Sequence, residues 1–283
     1  MMGFLGTLKV AAVLGLDFWV LRALLSSAPA AGAVTALVGL YAWLGGYLSL
    51  LSEGAVALKK LPFRERTRLS QAREQLSRSS GLDLAGLKLY LIPGSGELNA
   101  TAYGANCVSV TRATLDSTDP FTLSAVLAHE LSHIRCRDAE VSRAVFASVV
   151  LAVGCLSVAW LAVAALFLLA VGLRCFRSWL GFLAFRGASK VGGGLVGLAQ
   201  KGIVLVYRLV SGLVSRGAEY RSDRYCAQLG YAVQLAHFLS LAGEGERSLT
   251  LSQLLYRSHP PTHRRIARLE AQAGLRGGDR CGG

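Results

Sequence analysis

Negative charge is scarce in this chain: 17 Asp and Glu stand against 30 Lys and Arg, and charged residues make up only 17% of its 283 residues. With 53% hydrophobic residues and a mean hydropathy of +0.45, that composition excludes an ordinary soluble domain and points to a membrane protein. The six cysteines include no C-x-x-C pair, and Cys155 lies inside an apolar run. That speaks against a disulfide framework or a cysteine zinc knuckle and for a reducing compartment. No internal repeat is present. The net charge of +13 is concentrated between apolar runs. Those runs favour retention beside anionic lipid, with the bilayer as a partner and no nucleic-acid partner.

The apolar runs set the expected organisation. Leu5–Ser26 is long enough to cross a bilayer, with Asp17 and Arg22 as costly interruptions expected to make polar contacts inside a bundle. Ala30–Leu51 follows after an uncharged connection containing Pro29, so residues 1–52 are expected to form a transmembrane hairpin rather than a cleaved signal. From Lys59 to Arg78 basic residues crowd a segment in which Leu69, Ala72 and Leu76 have helical spacing and Gly81 supplies a stop. The positive-inside bias places that segment, and the N-terminus, on the cytoplasmic side. Ala144–Leu173 runs for thirty residues without a charge, more than enough to span at about 1.5 Å each. Val191–Ser215, interrupted by Lys201 and Arg208, is the weaker partner that completes a transmembrane pair over residues 144–215.

Between these runs lies chemistry. Val126–Arg137 reads V-L-A-H-E-L-S-H-I-R-C-R. On a helix, His129 and His133 project from one face and can reach a single metal ion, while Glu130 can take a proton from an attacking water. Asp119 fits the N-cap, Pro120 the first turn, and Leu123, Val126, Leu127, Leu131 and Ile134 form an apolar stripe. Upstream, Leu87–Ile92, Asn99–Tyr103 and Cys107–Thr111 read as a small antiparallel sheet, the last two as a hairpin around Gly104-Ala105-Asn106. An extended substrate can add to such a sheet edge, or the sheet can be purely structural. Residues 53–143 and 216–276 are therefore expected to form one catalytic domain in two parts, with residues 277–283 a disordered tail. Glu219 and Asp223, four apart in R-G-A-E-Y-R-S-D, share one face of a helix ending at Gly230, and spacing alone does not choose between them as a ligand. His237, on an apolar helix, is expected in the core, and His263 at the surface.

H-E-L-S-H at His129, E-Y-R-S-D at Glu219 and S-H-P-P-T-H-R-R-I-A-R-L at Ser258, with the paired N-terminal spans, resemble the HtpX family of membrane zinc metallopeptidases. The wider clan of that family includes the CaaX prenyl-protein endopeptidases. The resemblance implies an α+β membrane protein: helical spans plus a zincin-type catalytic domain holding Zn(2+). It implies Glu219 as the third zinc ligand beside His129 and His133, Glu130 as the catalytic base, and Asp223 as support behind a ligand. L-N-A-T-A-Y-G, from Leu98, looks like the family's edge strand, implying that Asn99, Ala100, Thr101, Ala102, Tyr103 and Gly104 bind substrate. Thr101 stands where an aromatic residue is usual. His259 is a candidate for stabilising the oxyanion, or alternatively a turn residue holding the helix that carries Arg265. Implied substrates are membrane or membrane-adjacent proteins, damaged or misassembled ones, cleaved on the cytoplasmic side of the cell membrane. A CaaX-type processing enzyme shares the site but needs a larger membrane chamber than four spans provide. A non-catalytic zinc-stabilised scaffold has no use for Glu130. Neither substrate nor oligomeric state is written in the residues.

Overall fold

The computed structural model describes residues 2–175, 179–243 and 260–278. It is mostly helical, with apolar helices of span length and one small sheet. Two compact units emerge: residues 1–144 with 212–283, and residues 145–211.

The first unit opens with α1 (Met2–Leu25) and α2 (Ala28–Ser52). Ser27 caps α2 by accepting from the Ala30 N–H, with Pro29 in the first turn, where its missing N–H costs no helical bond. A Cβ on Gly6 of α1 would lie 2.6 Å from the Cys136 carbonyl oxygen, so only glycine lets the helix pass that close. Gly6→Val should cost about 1–3 kcal/mol through overpacking. A lowered thermal midpoint in detergent checks this, and an unchanged midpoint contradicts the close approach.

Beyond α2 come β1 (Val56–Ala57), a 3₁₀ turn (Leu58–Lys60) and α3 (Phe63–Ser80). Leu69, Ala72 and Leu76 of α3 are fully buried, and Gly81 ends the helix in the left-handed conformation with φ +66°. β2 (Lys88–Ile92), β3 (Ala100–Tyr103) and β4 (Cys107–Thr111) follow. The sheet order is β1-β2-β4-β3, and the sheet is mixed rather than antiparallel, because β2 and β4 run parallel. The hairpin at Gly104 folds β4 inward beside β2 and leaves β3 outermost. All five β4 residues are buried, as a central strand requires, and that burial selects the middle position. α4 (Arg112–Ser117) leads to α5 (Pro120–Cys136), capped by Asp119, which accepts from the N–H groups of Phe121 and Thr122. The α5 stripe named above is buried against α3 and the sheet, and Ser124 donates to the Ala72 carbonyl at 3.1 Å.

α6 (Asp138–Cys175) and α7 (Trp179–Gln228) carry the chain through the second unit. There Trp160 lies against Gly192, and the Gln200 amide donates to Ser157 Oγ at 2.7 Å. α7 is one helix of 50 residues, not a span followed by a separate soluble helix. No proline interrupts it, and even the run Gly192-Gly193-Gly194 does not end it. Three helices are long and apolar enough to cross a membrane among the described residues: Ala28–Ser52, Asp138–Phe167 and Arg186–Gln228.

Back in the first unit, α8 (Ala232–Ala242) buries Leu235, Ala236, Phe238 and Leu239 and turns His237 outward. His237 is therefore exposed, not in the core, because it falls opposite that stripe. α9 (Thr262–Gly278) is the last helix, and Gly277 and Gly278 are helical where the sequence predicts a disordered tail.

Candidate metal centre

Two rings leave one face of α5 and meet. His129 and His133 have their Nε2 atoms 3.2 Å apart. Glu219 arrives from α7, with Oε2 3.3 Å from His129 Nε2 and Oε1 3.7 Å from His133 Nε2. One donor atom from each of the three residues lies within 4.8 Å of the others.

The far side of each ring faces an acid. His129 Nδ1 is 3.1 Å from Asp223 Oδ1, and His133 Nδ1 is 3.0 Å from Asp138 Oδ2. At His133 the Asp138 carboxylate holds the ring proton on Nδ1, and at His129 the charge of Asp223 3.1 Å away favours it there, which turns the Nε2 lone pairs toward each other and toward Glu219. Two nitrogen lone pairs and a carboxylate cannot hydrogen-bond one another; a cation satisfies all three at once. The charges agree. Four carboxylates (Glu130, Asp138, Glu219, Asp223) meet two guanidinium groups, Arg221 on Asp138 and Arg265 on Asp223 and Glu219, which leaves room for a divalent ion. Burial lowers the pKa of His129, yet hydrogen bonds and charge from Asp223 and Glu219 outweigh it and raise that pKa to about 10, so the surrounding field favours a positive charge at this ring. The donor set, two imidazoles and a carboxylate, is one that suits zinc.

Arg265, on α9, is the residue that sequence reasoning undervalued. Its Nε and Nη2 grip Asp223 at 2.8 and 2.7 Å, and its Nη1 lies 2.9 Å from Glu219 Oε2. All three side chains are buried. Arg265→Leu strands two buried carboxylates and should cost about 3–5 kcal/mol. Arg265→Lys should recover only part of that, since an ammonium cannot make the two-pronged contact. Denaturation midpoints of the two variants check the ordering; equal stability of Arg265→Leu and wild type would contradict it.

Glu130 points at the same space. Burial pushes its carboxyl up from the usual range, while His133 and His129 pull it back down, and the Ala102 N–H on β3 also reaches it. That contact ties the sheet edge to the centre. Asn99 pairs with Thr111, whose N–H donates to the Asn99 carbonyl at 3.0 Å. In an antiparallel pair the main chain turns inward at alternate residues, so Ala100 and Ala102 present their N–H and C=O groups to the open side of β3. Of the expected site residues, His129, Glu130, His133, Glu219, Asp223 and Ala102 thus come together. Asn99, Ala100, Thr101, Tyr103 and Gly104 line or end the edge strand. His259 lies outside the described residues, and His263 is exposed.

Comparison with known proteins agrees with this geometry. Protease HtpX of Idiomarina loihiensis is 27% identical over 256 residues, 81% of this chain and 80% of that one. A Protease HtpX homolog of Aquifex aeolicus is 36% identical over 100 residues, 34% of this chain and 31% of that one. In fold, Ste24p of S. mikatae is similar with a TM-score of 0.54 at 17% identity over 92% of this chain. The chain spans 62% of the length of Ste24p. The family model for peptidase family M48 matches residues 64–273, a stretch that holds His129, Glu130, His133, Glu219, Asp223 and Arg265. Well over half of the sequence and every residue of the centre fall inside that match: the chain belongs to peptidase family M48.

Proposed function

We propose that this chain is a zinc-dependent endopeptidase of the membrane, HtpX-like, that cleaves membrane or membrane-adjacent proteins as part of protein quality control. The observation that carries it is the convergence of His129, His133 and Glu219 beside Glu130, on a chain of a peptidase family. The two histidines and Glu219 would hold the ion. A zinc ion there supplies Lewis acidity toward a water and a carbonyl oxygen.

The remaining work falls to the chain. A substrate in extended form binds along the open side of β3, its main chain meeting the N–H and C=O groups of Ala100 and the C=O of Ala102. Glu130 takes a proton from the attacking water as its oxygen bonds to the scissile carbonyl carbon, then gives that proton to the departing amine as the C–N bond breaks. A carboxyl raised by burial suits both halves of that exchange. His259, one residue before Pro260, is proposed to stabilise the developing oxyanion. Cleavage of a detergent-solubilised membrane protein that stops on chelation and returns with added zinc supports the reading; cleavage indifferent to chelation would refute it.

The same reading fixes a topology. His133 and Glu219 must meet on one side of the bilayer, so the chain between them crosses an even number of times, and α6 and α7 supply two crossings. With the sheet and α5 in the cytoplasm, the connection near Arg174, Arg186 and Lys190 faces outward against the positive-inside bias. Charge bias is a preference, whereas ligation is a strict demand. In a cysteine-free background, an impermeant thiol reagent added outside should label Arg186→Cys and miss Gln71→Cys. The opposite pattern would overturn the topology.

A further inference from the structure

A strand added to β3 sends alternate side chains to opposite faces of the sheet. One face is the core side, where Ala100 and Ala102 pack with α5. On the other lies a pocket of about 590 Å³ lined by Thr101, Tyr103, Ser109 and Thr111. Ala100 also lines it, and because the main chain of Ala100 faces the open edge, the pocket is within reach of whatever binds there. Its lining mixes apolar surface with hydroxyl groups and holds one formal charge, Glu53.

The Glu53 carboxylate is oriented but not neutralised. The Tyr103 hydroxyl donates to its two oxygens at 2.9 and 3.0 Å. Burial, and then the bond to Glu53, push Tyr103 up to about 12, so it remains a phenol and a donor. A single donor leaves most of the carboxylate's acceptor capacity open. Among the described residues Glu53 makes no ion pair, although the chain carries a net charge of +13. Glu53 also directly follows Ser52, the last residue of α2, so it stands where an apolar helix of span length ends. Polypeptides emerging from a bilayer on the cytoplasmic side are rich in Lys and Arg at that level.

We propose that Glu53 is a specificity-determining residue, which pairs with a Lys or Arg side chain of a juxtamembrane substrate segment bound along β3. The proposal rests on the peptidase reading above, and binding separates the two. Fluorescent peptides of one sequence, carrying Lys, Gln or Glu at a single position moved stepwise along it, are titrated into zinc-loaded Glu130→Gln full-length chain in detergent. At one position Lys should bind up to about fivefold tighter than Gln, less so at high salt, as for an exposed ion pair. Glu53→Gln should erase that preference, Glu53→Lys should invert it toward the Glu peptide, and Glu74→Gln, on the exposed face of α3, should leave it intact. A Lys preference that survives Glu53→Gln, or none at any position, overturns the proposal. If the pattern appears but Glu130-intact chain cleaves none of these peptides, the peptidase reading fails while the assignment of Glu53 stands. Cleavage with no charge preference gives the reverse.

Discussion

Glu130→Gln should bind zinc at full stoichiometry and cleave about 10²- to 10⁴-fold more slowly than wild type, the usual contribution of a positioned base. The amide has the shape of the carboxyl and can still accept from the Ala102 N–H, so the fold and the three proposed ligands are left alone. What is lost is the capacity to take a proton. Each factor of ten corresponds to about 1.4 kcal/mol of transition-state stabilisation, so the expected loss is roughly 3–5 kcal/mol with no matching loss of stability. Metal content by elemental analysis and turnover on one substrate, measured on the same preparation, check it. Turnover near the wild-type value, with a contaminating peptidase excluded, would sink the mechanism. A metal-free variant would instead show that Glu130 has a structural part in the centre.

Glu219→Ala should purify largely free of metal, whereas Asp223→Ala should keep zinc at saturating metal and turn over slowly. The two acids share a helical face, but the structure puts them on different atoms. Glu219 meets the Nε2 side of both rings, at 3.3 and 3.7 Å, and Asp223 meets the Nδ1 side of one, at 3.1 Å. Removing an acid from behind a ring weakens metal affinity or activity by about 10- to 100-fold. Removing one of three donors takes away far more. Asp223→Ala carries a second consequence, because it frees Arg265 from its two-pronged partner and leaves a buried guanidinium with Glu219 and a 3.5 Å contact to His129 Nε2. Its thermal midpoint should therefore fall as well. Metal lost from Asp223→Ala and retained by Glu219→Ala would reverse the assignment.

Local features of the sequence were readable. Asp119 and Pro120 open α5 as capping chemistry demands, its stripe is buried, and Gly81 stops α3. The histidine pair follows from helical spacing alone. Choosing Glu219 over Asp223 needed the resemblance, since one helical face offers both. What stayed hidden was nonlocal. Asp138 lies only five residues after His133, yet its role depends on the left-handed residue Arg137, φ 53°, which breaks α5 and turns a new helix N-terminus back toward the ring. Arg265 reaches the centre from the last helix, a contact that periodicity does not encode. The two-residue β1 is too short to leave a pattern, and the parallel β2–β4 pairing depends on how the hairpin folds back. The apolar composition of α8 does not reveal that only one side is buried, which is why His237 lies outside the core.

Asp138 is the first residue of α6, and Glu219 and Asp223 lie near the end of α7. Asp138, Glu219 and Asp223 therefore sit on helices that run on into residues 145–211 with no loop between. Excising residues 145–211 to obtain a water-soluble peptidase cuts α6 shortly after Asp138 and α7 shortly before Glu219. A replacement loop succeeds only if it keeps both helix stubs rigid and at their native spacing. Otherwise His133 loses its partner and the third donor drifts, and the shortened chain folds around an incomplete metal site.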